Sequence, residues 1–252
     1  QLYSCLSESH INGETFRVTS LRSVTQLVES ALERGAKTIV AVGSDATMHD
    51  VINAARGRDI TLGYIPLLKS EVADILGIAD IESAARIIAS RRIAVLDLGL
   101  VNNFAFLTKI SFGLAEAKTG WASLAAIRDL FATPSFELKF SSAGSFSAAS
   151  KVIGGTIVNG THSEHSSNIT NPTDGLLDVI LLPSLSKYQI VKHRKNILEG
   201  CYEKVPGSSL VHSEKIEILA PEALPLRVGN RVVAKTPATI EVISKALRMI
   251  VG

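Results

Sequence analysis

The segment Gly-Ser-Asp-Ala-Thr at residues 43–47 is the part of the chain best suited to phosphate chemistry. It follows the apolar run TIVAV and precedes a helix-like stretch, and ligands of open α/β folds bind at such a junction. There the carboxylate of Asp45 could organise nucleotide phosphates or their Mg²⁺. Thr47 would share a helix N-terminus, where free N–H groups attract anions. Both residues also have a purely structural interpretation, as caps of a helix that begins at Met48.

Two clusters farther along the chain suggest other chemistry. His162 and His165 have a spacing that zinc sites use, but no third ligand follows at a matching interval, so we favour a polar surface loop. The stretch YQIVKHRKNIL is amphipathic, and its basic side chains could contact an anionic lipid surface, although a solvated helix face is the alternative. These side chains are Lys187, Lys192, His193, Arg194 and Lys195.

Strands and helices alternate over the first 90 residues, which predicts a parallel sheet with helices on both faces. The predicted strands are 16–18, 37–42 and 62–65, the last of them stopped by Pro66. The predicted helices are 21–32, capped by Ser20 and ended by Gly35, then 48–55 and two stretches within 71–89.

From Arg92 onward, short apolar runs separated by Gly, Pro, Asn or Ser predict antiparallel β-structure. One of these runs is NFAFLTKI, and two helical segments, 121–131 and 187–198, interrupt the series. The predicted fold class is therefore α/β plus β. A parallel α/β domain of the nucleotide-binding type spans residues 1–90, an antiparallel β-sandwich domain spans 91–242, and residues 243–252 return to the first domain.

The composition excludes several classes of protein. With 252 residues, 46% of them hydrophobic and 20% charged, the chain has enough apolar surface to fold as one large or two modest domains. Its 26 basic and 24 acidic side chains leave a net charge of +2, which argues against nucleic acid as a partner. Cys5 and Cys201 have no CxxC spacing, which is typical of reduced thiols in a cytoplasmic protein.

Several motifs, in the same order, resemble segments of the diacylglycerol kinase-like lipid kinases, relatives of the sphingosine and NAD kinases. Residues 43–47 resemble the family's GGDGT turn, and residues 64–78 resemble its PLGTGNDFARALGI segment, one residue short. The segments DLG at 97–99 and SFG at 111–113 resemble the entry into its second domain. The remaining matches are VNG at 158–160, DGLLDV at 174–179, TP at 236–237 and ALRMIV at 246–251.

This resemblance implies where ATP and Mg²⁺ would bind. Glu71 stands where the family has an aspartate that reaches the nucleotide or its metal, or else it is a solvated first-turn carboxylate. Asp174, with the carbonyls of Asn171 and Leu176, would provide oxygen ligands for a divalent ion, although N-P-x-D-G is by itself a strong turn signal. The implied nucleotide-binding set is Gly43, Ser44, Asp45, Ala46, Thr47, Ser70 and Glu71.

Several positions depart from the family pattern. Two glycines of GGDGT are Ser44 and Ala46 here, and glycine permits both a positive φ and the close approach of phosphate to backbone amides. The GTG of the second loop is shortened to Leu68-Lys69, and Val228 occupies the position of the family's candidate catalytic base. The family's opening strand, with its NPxSG loop, is absent from this sequence.

The resemblance and its departures together predict a cytoplasmic lipid kinase, peripheral at a membrane, with weak or lost activity. Such an enzyme would transfer the γ-phosphoryl group of ATP to a lipid hydroxyl. The alternative is a pseudokinase-type module that kept the fold, lost the chemistry and acts by binding or regulation.

Overall fold

The computed structural model describes residues 2–114, 135–142, 146–160, 171–198, 200–220 and 223–252. The predicted helical segment 121–131 and the two histidines His162 and His165 lie outside these ranges. The helices are α1 (Leu2–Glu8), α2 (Val24–Glu33), α3 (Asp45–Ala55), α4 (Glu71–Ile75), α5 (Ile81–Ser90), α6 (Lys187–Lys192) and α7 (Arg194–Leu198). The strands are β1 (Thr38–Gly43), β2 (Thr61–Pro66), β3 (Ile93–Val101), β4 (Phe104–Phe106), β5 (Lys109–Phe112), β6 (Phe136–Ser142), β7 (Phe146–Val158), β8 (Leu177–Pro183), β9 (Ser209–Ser213), β10 (Lys215–Leu219), β11 (Pro225–Val228), β12 (Arg231–Lys235) and β13 (Ala238–Ile250).

The N-terminal part is a parallel α/β unit. Strands β1 and β2 pair in parallel from Thr38 opposite Thr61 to Gly43 opposite Pro66, so both strands end at the same edge. All six residues of β2 are buried, as expected for a strand covered on both faces. Helix α3 packs on the sheet through an apolar stripe at helical spacing, which comprises Met48, Val51, Ile52 and Ala55.

Strand β13 joins the two parts of the molecule. Its first residues pair antiparallel with β10, whereas Arg248 and Met249 near its end pair in parallel with β2. Along most of its length it also pairs antiparallel with β3, with a break in register between Ile243 and Leu247. One long strand therefore contributes to the cores of both parts.

The C-terminal part is a β-sandwich-like domain built around β7 and β8, which are antiparallel to each other. Alternate side chains of β8 enter two different cores: Val179 and Leu181 pack on one face, and Ile180 and Leu182 pack on the other. The mixed sheet, with an α/β unit before and a sandwich after, confirms the predicted fold class. In the described ranges, no helix is both long enough and apolar enough to cross a membrane.

Two element predictions near the N-terminus are wrong. Residues 16–18 form no strand, and Phe16 and Val18 are exposed, because this segment pairs with no described strand, not even with the open edge of β1. The first long helix is not capped by Ser20. It begins at Val24, because Ser23 and Gln26 form a reciprocal capping box.

Two predicted continuous elements in the C-terminal part are each divided. The stretch NFAFLTKI forms β4 and β5, separated at residues 107–108. The helix predicted over 187–198 is interrupted at His193, whose N–H donates to the carbonyls of Gln189 and Val191. The carbonyl of Val191 also accepts from the Arg194 guanidinium at 3.1 Å. The His193 N–H and the Arg194 guanidinium therefore occupy the Val191 carbonyl, which would accept a backbone N–H in a continuous helix.

Gly99 in β3 is required by the close packing of Phe106 from β4. A Cβ at position 99 would lie 2.1 Å from the Phe106 ring, and both residues are buried. We predict that Gly99→Ala lowers the free energy of unfolding by about 1–3 kcal/mol, measured by urea denaturation. Gly13→Ala, which adds a Cβ in open space, is the control. Equal stability of the two variants would contradict this account.

Candidate functional site

The turn between β1 and α3 is shaped by Gly43 and Ser44. Gly43 has φ +151°, and a Cβ there would come within 3.0 Å of the Thr47 hydroxyl, so the position favours glycine. Ser44 has an extended backbone and is the N-cap of α3, its hydroxyl accepting from the N–H of Thr47 at 3.5 Å. The helix therefore begins at Asp45 rather than Met48, and Ser44 rather than Asp45 or Thr47 provides the cap.

The carboxylate of Asp45 joins the two loops that the sequence placed in one site. One carboxylate oxygen accepts a hydrogen bond from the Tyr64 hydroxyl at 3.1 Å and another from the Ser70 hydroxyl. The other oxygen accepts from the backbone N–H of Glu71 at 2.9 Å. Burial raises the pKa of Tyr64, so its phenol stays a hydrogen-bond donor. The structure thus brings residues 43–47 and 70–71 together at the ends of β1 and β2.

The N-terminus of α3 offers groups that can bind an anion. Within the described ranges, the backbone N–H groups of Asp45 and Ala46 have no hydrogen-bond acceptor. Ala46 is exposed and helical, and Ser44 is extended, so neither former glycine position needs a positive φ. The need for a positive φ therefore does not explain the family's glycines at these two positions. The remaining explanation is that a Cβ obstructs the approach of phosphate to the backbone amides.

Glu71 is exposed but not simply solvated, because its carboxylate lies 2.8 Å from the ammonium group of Lys109 on β5. The Lys109 side chain is about one-fifth exposed, and the Glu71 side chain about half. This ion pair brings strand β5 of the sandwich part next to the loop that follows β2. Lys109 was not predicted as a site residue, because only the folded chain brings it near Glu71.

Two further polar residues on α3 connect the helix to β4 and β5, and sequence reasoning missed both. His49 is buried, with its Nδ1 2.8 Å from the carbonyl of Asp45 and its Nε2 accepting from the N–H of Leu107 at 3.3 Å. Burial lowers the pKa of His49, which keeps the ring neutral. Asn53 binds both backbone groups of Ala105 at 2.8 Å. The available signal was a pair of polar residues at i and i+4 on the apolar face of a helix.

The hairpin between β11 and β12 contains Val228, at the position of the family's candidate base. Val228 is 9% exposed and packs in the core of the sandwich part. The neighbouring residue Arg231 forms an ion pair with Asp50 on α3, and its guanidinium carbon lies 5.3 Å from the centre of the Phe104 ring. The hairpin is therefore held against α3 a short distance along the helix from Asp45.

The segment that contains Asn171, Asp174 and Leu176 forms a hydrogen-bonded turn. The side-chain oxygen of Asn171 accepts from the N–H and the hydroxyl of Thr173, and the Asp174 carboxylate accepts from the N–H of Leu176 at 3.0 Å. The turn signal therefore accounts for these contacts, and the metal site stays a prediction. Nowhere in the described part of the chain do three His, Cys, Asp or Glu side chains form a metal-binding group.

Helices α6 and α7 present a basic and partly apolar surface. Tyr188 is 74% exposed and Val191 is 44% exposed, whereas Ile190 and Ile197 are buried against the sandwich. The exposed basic residues of these helices are Lys187, Lys192, Arg194 and Lys195. Elsewhere in the chain, Cys5 and Cys201 are not joined by a disulfide.

Comparison with protein families divides the chain into two matches. Residues 1–101 match the diacylglycerol kinase catalytic domain, and residues 103–251 match the YegS C-terminal NAD kinase beta sandwich-like domain. No curated protein is significantly similar to the chain.

Solved structures share the fold. A diacylglycerol kinase from Bacillus anthracis strain Sterne superposes with a TM-score of 0.78 at 18% identity, over 98% of this chain and 88% of that protein. An NAD kinase from Archaeoglobus fulgidus in complex with ATP gives a TM-score of 0.55 at 14% identity, over 99% and 87% of the two chains. Yeast NADH kinase complexed with NADH gives 0.50 at 11% identity, over 98% and 71%.

The buried, neutral His49 makes stability depend on pH. Its pKa is below the ordinary value of 6.5, so as the pH falls through that value the unfolded chain binds a proton that the folded chain does not bind. We predict that the contribution of His49 to stability is present above pH 6.5 and is lost as the pH falls toward its folded-state pKa. The slope contributed is at most about 1.4 kcal/mol per pH unit.

Urea denaturation at a series of pH values measures this contribution. His49→Gln keeps a side chain that can donate and accept but cannot titrate. This variant should lose stability less steeply on acidification than the parent chain. Parallel curves for the two proteins would show that His49 does not contribute to the pH dependence.

Proposed function

Because this chain belongs to the diacylglycerol kinase-like lipid kinase family, as its motifs predicted, we propose that it binds ATP at the carboxyl ends of β1 and β2. The observation that carries this proposal is the Asp45 carboxylate, which holds the N-termini of α3 and α4 together. The free N–H groups of Asp45 and Ala46 fit phosphate oxygens, because a helix N-terminus favours negative charge. The predicted binding set, from Gly43 through Thr47 with Ser70 and Glu71, surrounds this point.

Mg²⁺ fits this proposal with few protein ligands, because it usually binds through one or two carboxylates, phosphates and water. When bound, it would neutralise phosphate charge during transfer. Glu71 is the exposed carboxylate at the site that could hold it, in exchange with Lys109. The second proposed metal position, formed by Asn171, Asp174 and Leu176, would stabilise the turn that precedes β8.

We propose that the reaction is phosphoryl transfer to the hydroxyl of diacylglycerol or a similar lipid, and that it is slow. A lipid hydroxyl benefits from a carboxylate base within hydrogen-bond reach, and Val228 cannot accept a proton. Both oxygens of Asp45 already accept hydrogen bonds from the protein. This carboxylate therefore positions the two loops and has less capacity left to act on a substrate.

The second candidate function is that of a pseudokinase-type module that binds nucleotide or lipid without turnover. The observation that favours it is Val228, which is nine-tenths buried in the core of the sandwich part, where a carboxylate would be costly. The two candidates differ in turnover and not in fold.

We further propose that the protein acts in the cytoplasm and contacts anionic membranes through α6 and α7. An interfacial helix combines basic residues with exposed aromatic and aliphatic side chains, and this surface combines Lys187, Lys192 and Lys195 with Tyr188 and Val191. Such contact would bring a lipid substrate to the protein.

The central experiment measures Mg·ATP binding by calorimetry and transfer of radiolabelled phosphate to diacylglycerol in mixed micelles. Loss of a general base costs on the order of 10² to 10⁴ in rate. We expect the parent chain to bind Mg·ATP and the Asp45→Asn variant to bind it more weakly. We expect turnover well below the roughly 1 per second of an ordinary kinase. Turnover at that ordinary rate would refute the slow-kinase proposal. Binding without any turnover would support the non-catalytic module.

Membrane contact is tested by sedimentation with vesicles of phosphatidylserine and phosphatidylcholine. The triple variant Lys187→Gln, Lys192→Gln, Lys195→Gln removes three charges at about 1 kcal/mol each, so we expect vesicle binding to fall by at least tenfold. The control replaces three exposed basic residues elsewhere, Arg17, Lys37 and Arg86, by Gln. Equal binding of the two triple variants would show that α6 and α7 do not form the membrane-binding surface.

A further inference from the structure

A cavity of about 190 Å³ lies between α3, β2, β3 and β13. Its floor is apolar and includes the buried side chains of Ile52, Ile60, Leu62 and Leu98. Its remaining wall comes from the segment after α3 and from the bulge in β13. The cavity is therefore built by both parts of the molecule, and it exists only when β13 is in place.

The charged residues that line this cavity all have the same sign. Of the residues that line it, four are basic and none is acidic: Arg56, Arg58, Lys245 and Arg248. The whole chain has a net charge of only +2, so this concentration is local. A concave site with cationic walls attracts an anion, because a recessed surface focuses the electrostatic potential.

Two of the four cations are already held in place, and two are available. Arg56 donates to the carbonyl and to the side-chain oxygen of Asn103, and Arg248 is paired with Asp59 at 2.7 Å. In the part of the chain that the structure describes, the side chains of Arg58 and Lys245 have no hydrogen-bond or ion-pair partner. The bulge directs Lys245 to this wall, since its φ is +55° and its N–H is bound to Asp97.

We propose that this cavity binds a phosphate monoester. Arginine presents a planar fork of donors that matches phosphate, and lysine adds a point charge, so Arg58 and Lys245 would hold the phosphate group. The apolar floor would accommodate the organic part of the ester. The phosphate could come from a lipid phosphate or from a small free phosphate, and the same cations would bind either.

This site is separate from the candidate nucleotide site and does not depend on the proposed function. Asp45 is at the first residue of α3, whereas Ala55 at its last residue lines the cavity. A helix of 11 residues is about 16 Å long, so the two sites lie at opposite ends of it. A ligand in the cavity would contact α3 and β13 together and would therefore favour the joined arrangement of the two parts.

Isothermal titration calorimetry with octyl phosphate, inorganic phosphate and octyl glucoside tests the proposal. The variants are Arg58→Gln, Lys245→Asn and their combination. Asn is chosen at position 245 because it tolerates a positive φ. The control is Arg86→Gln on α5, which packs on the face of β2 opposite to the cavity. Leu62 of β2 faces the cavity, whereas a Cβ at the next residue, Gly63, would meet Ile88 of α5.

We expect octyl phosphate to bind the parent chain and Arg86→Gln equally. Each single variant should weaken this binding by about tenfold, because each removes one charge-assisted hydrogen bond. Tighter binding of octyl phosphate than of inorganic phosphate would support a lipid phosphate, and equal binding would support a small free phosphate. The proposal is overturned if neither phosphate binds, if octyl glucoside binds as well as octyl phosphate, or if the variants that retain the parent melting temperature also retain its affinity.

Discussion

The joined arrangement of the two parts depends on the buried carboxylate of Asp97 in β3. This side chain is 1% exposed, and burying a carboxylate without donors would cost several kcal/mol. One oxygen accepts from the N–H of Lys245 at 2.7 Å, and the other accepts from the N–H of Gly175 at 2.8 Å. The first bond holds the bulge that lets β13 pass from the sandwich to β2. The second fixes the turn before β8.

At the candidate site, the carboxylate of Asp45 likewise joins separate segments of the chain by accepting hydrogen bonds from them. Its oxygens accept from one backbone N–H and two hydroxyls, so the carboxylate connects two helix N-termini across a loop junction. The geometry suits phosphate binding, because the N-termini of α3 and α4 lie next to each other. It also limits chemistry, because the lone pairs of Asp45 are largely committed. With Val228 in place of a base, this arrangement is consistent with the slow turnover that we propose.

Helix α3 extends from the candidate nucleotide site to the basic cavity. Its first turn faces the candidate nucleotide site, its last residues line the basic cavity, and His49 and Asn53 between them bind the backbone of the β4–β5 region. A ligand at either end of α3 would therefore act on the same interface. The interface is polar and fully hydrogen-bonded at these two residues, so it specifies one relative position of helix and strand.

The sequence by itself determined the fold class and the two loops of the candidate site. The run TIVAV, the capping residues and the alternation of elements are local signals, and the two loops converge because the ends of parallel strands share one edge. Local signals failed at residues 16–18, since a strand needs a neighbour as well as an apolar pattern. Only the tertiary structure decided the pairing of Glu71 with Lys109, the roles of His49 and Asn53, and the basic cavity. Each of these depends on residues far apart in sequence that meet only when the chain folds, and no local periodicity encodes that meeting.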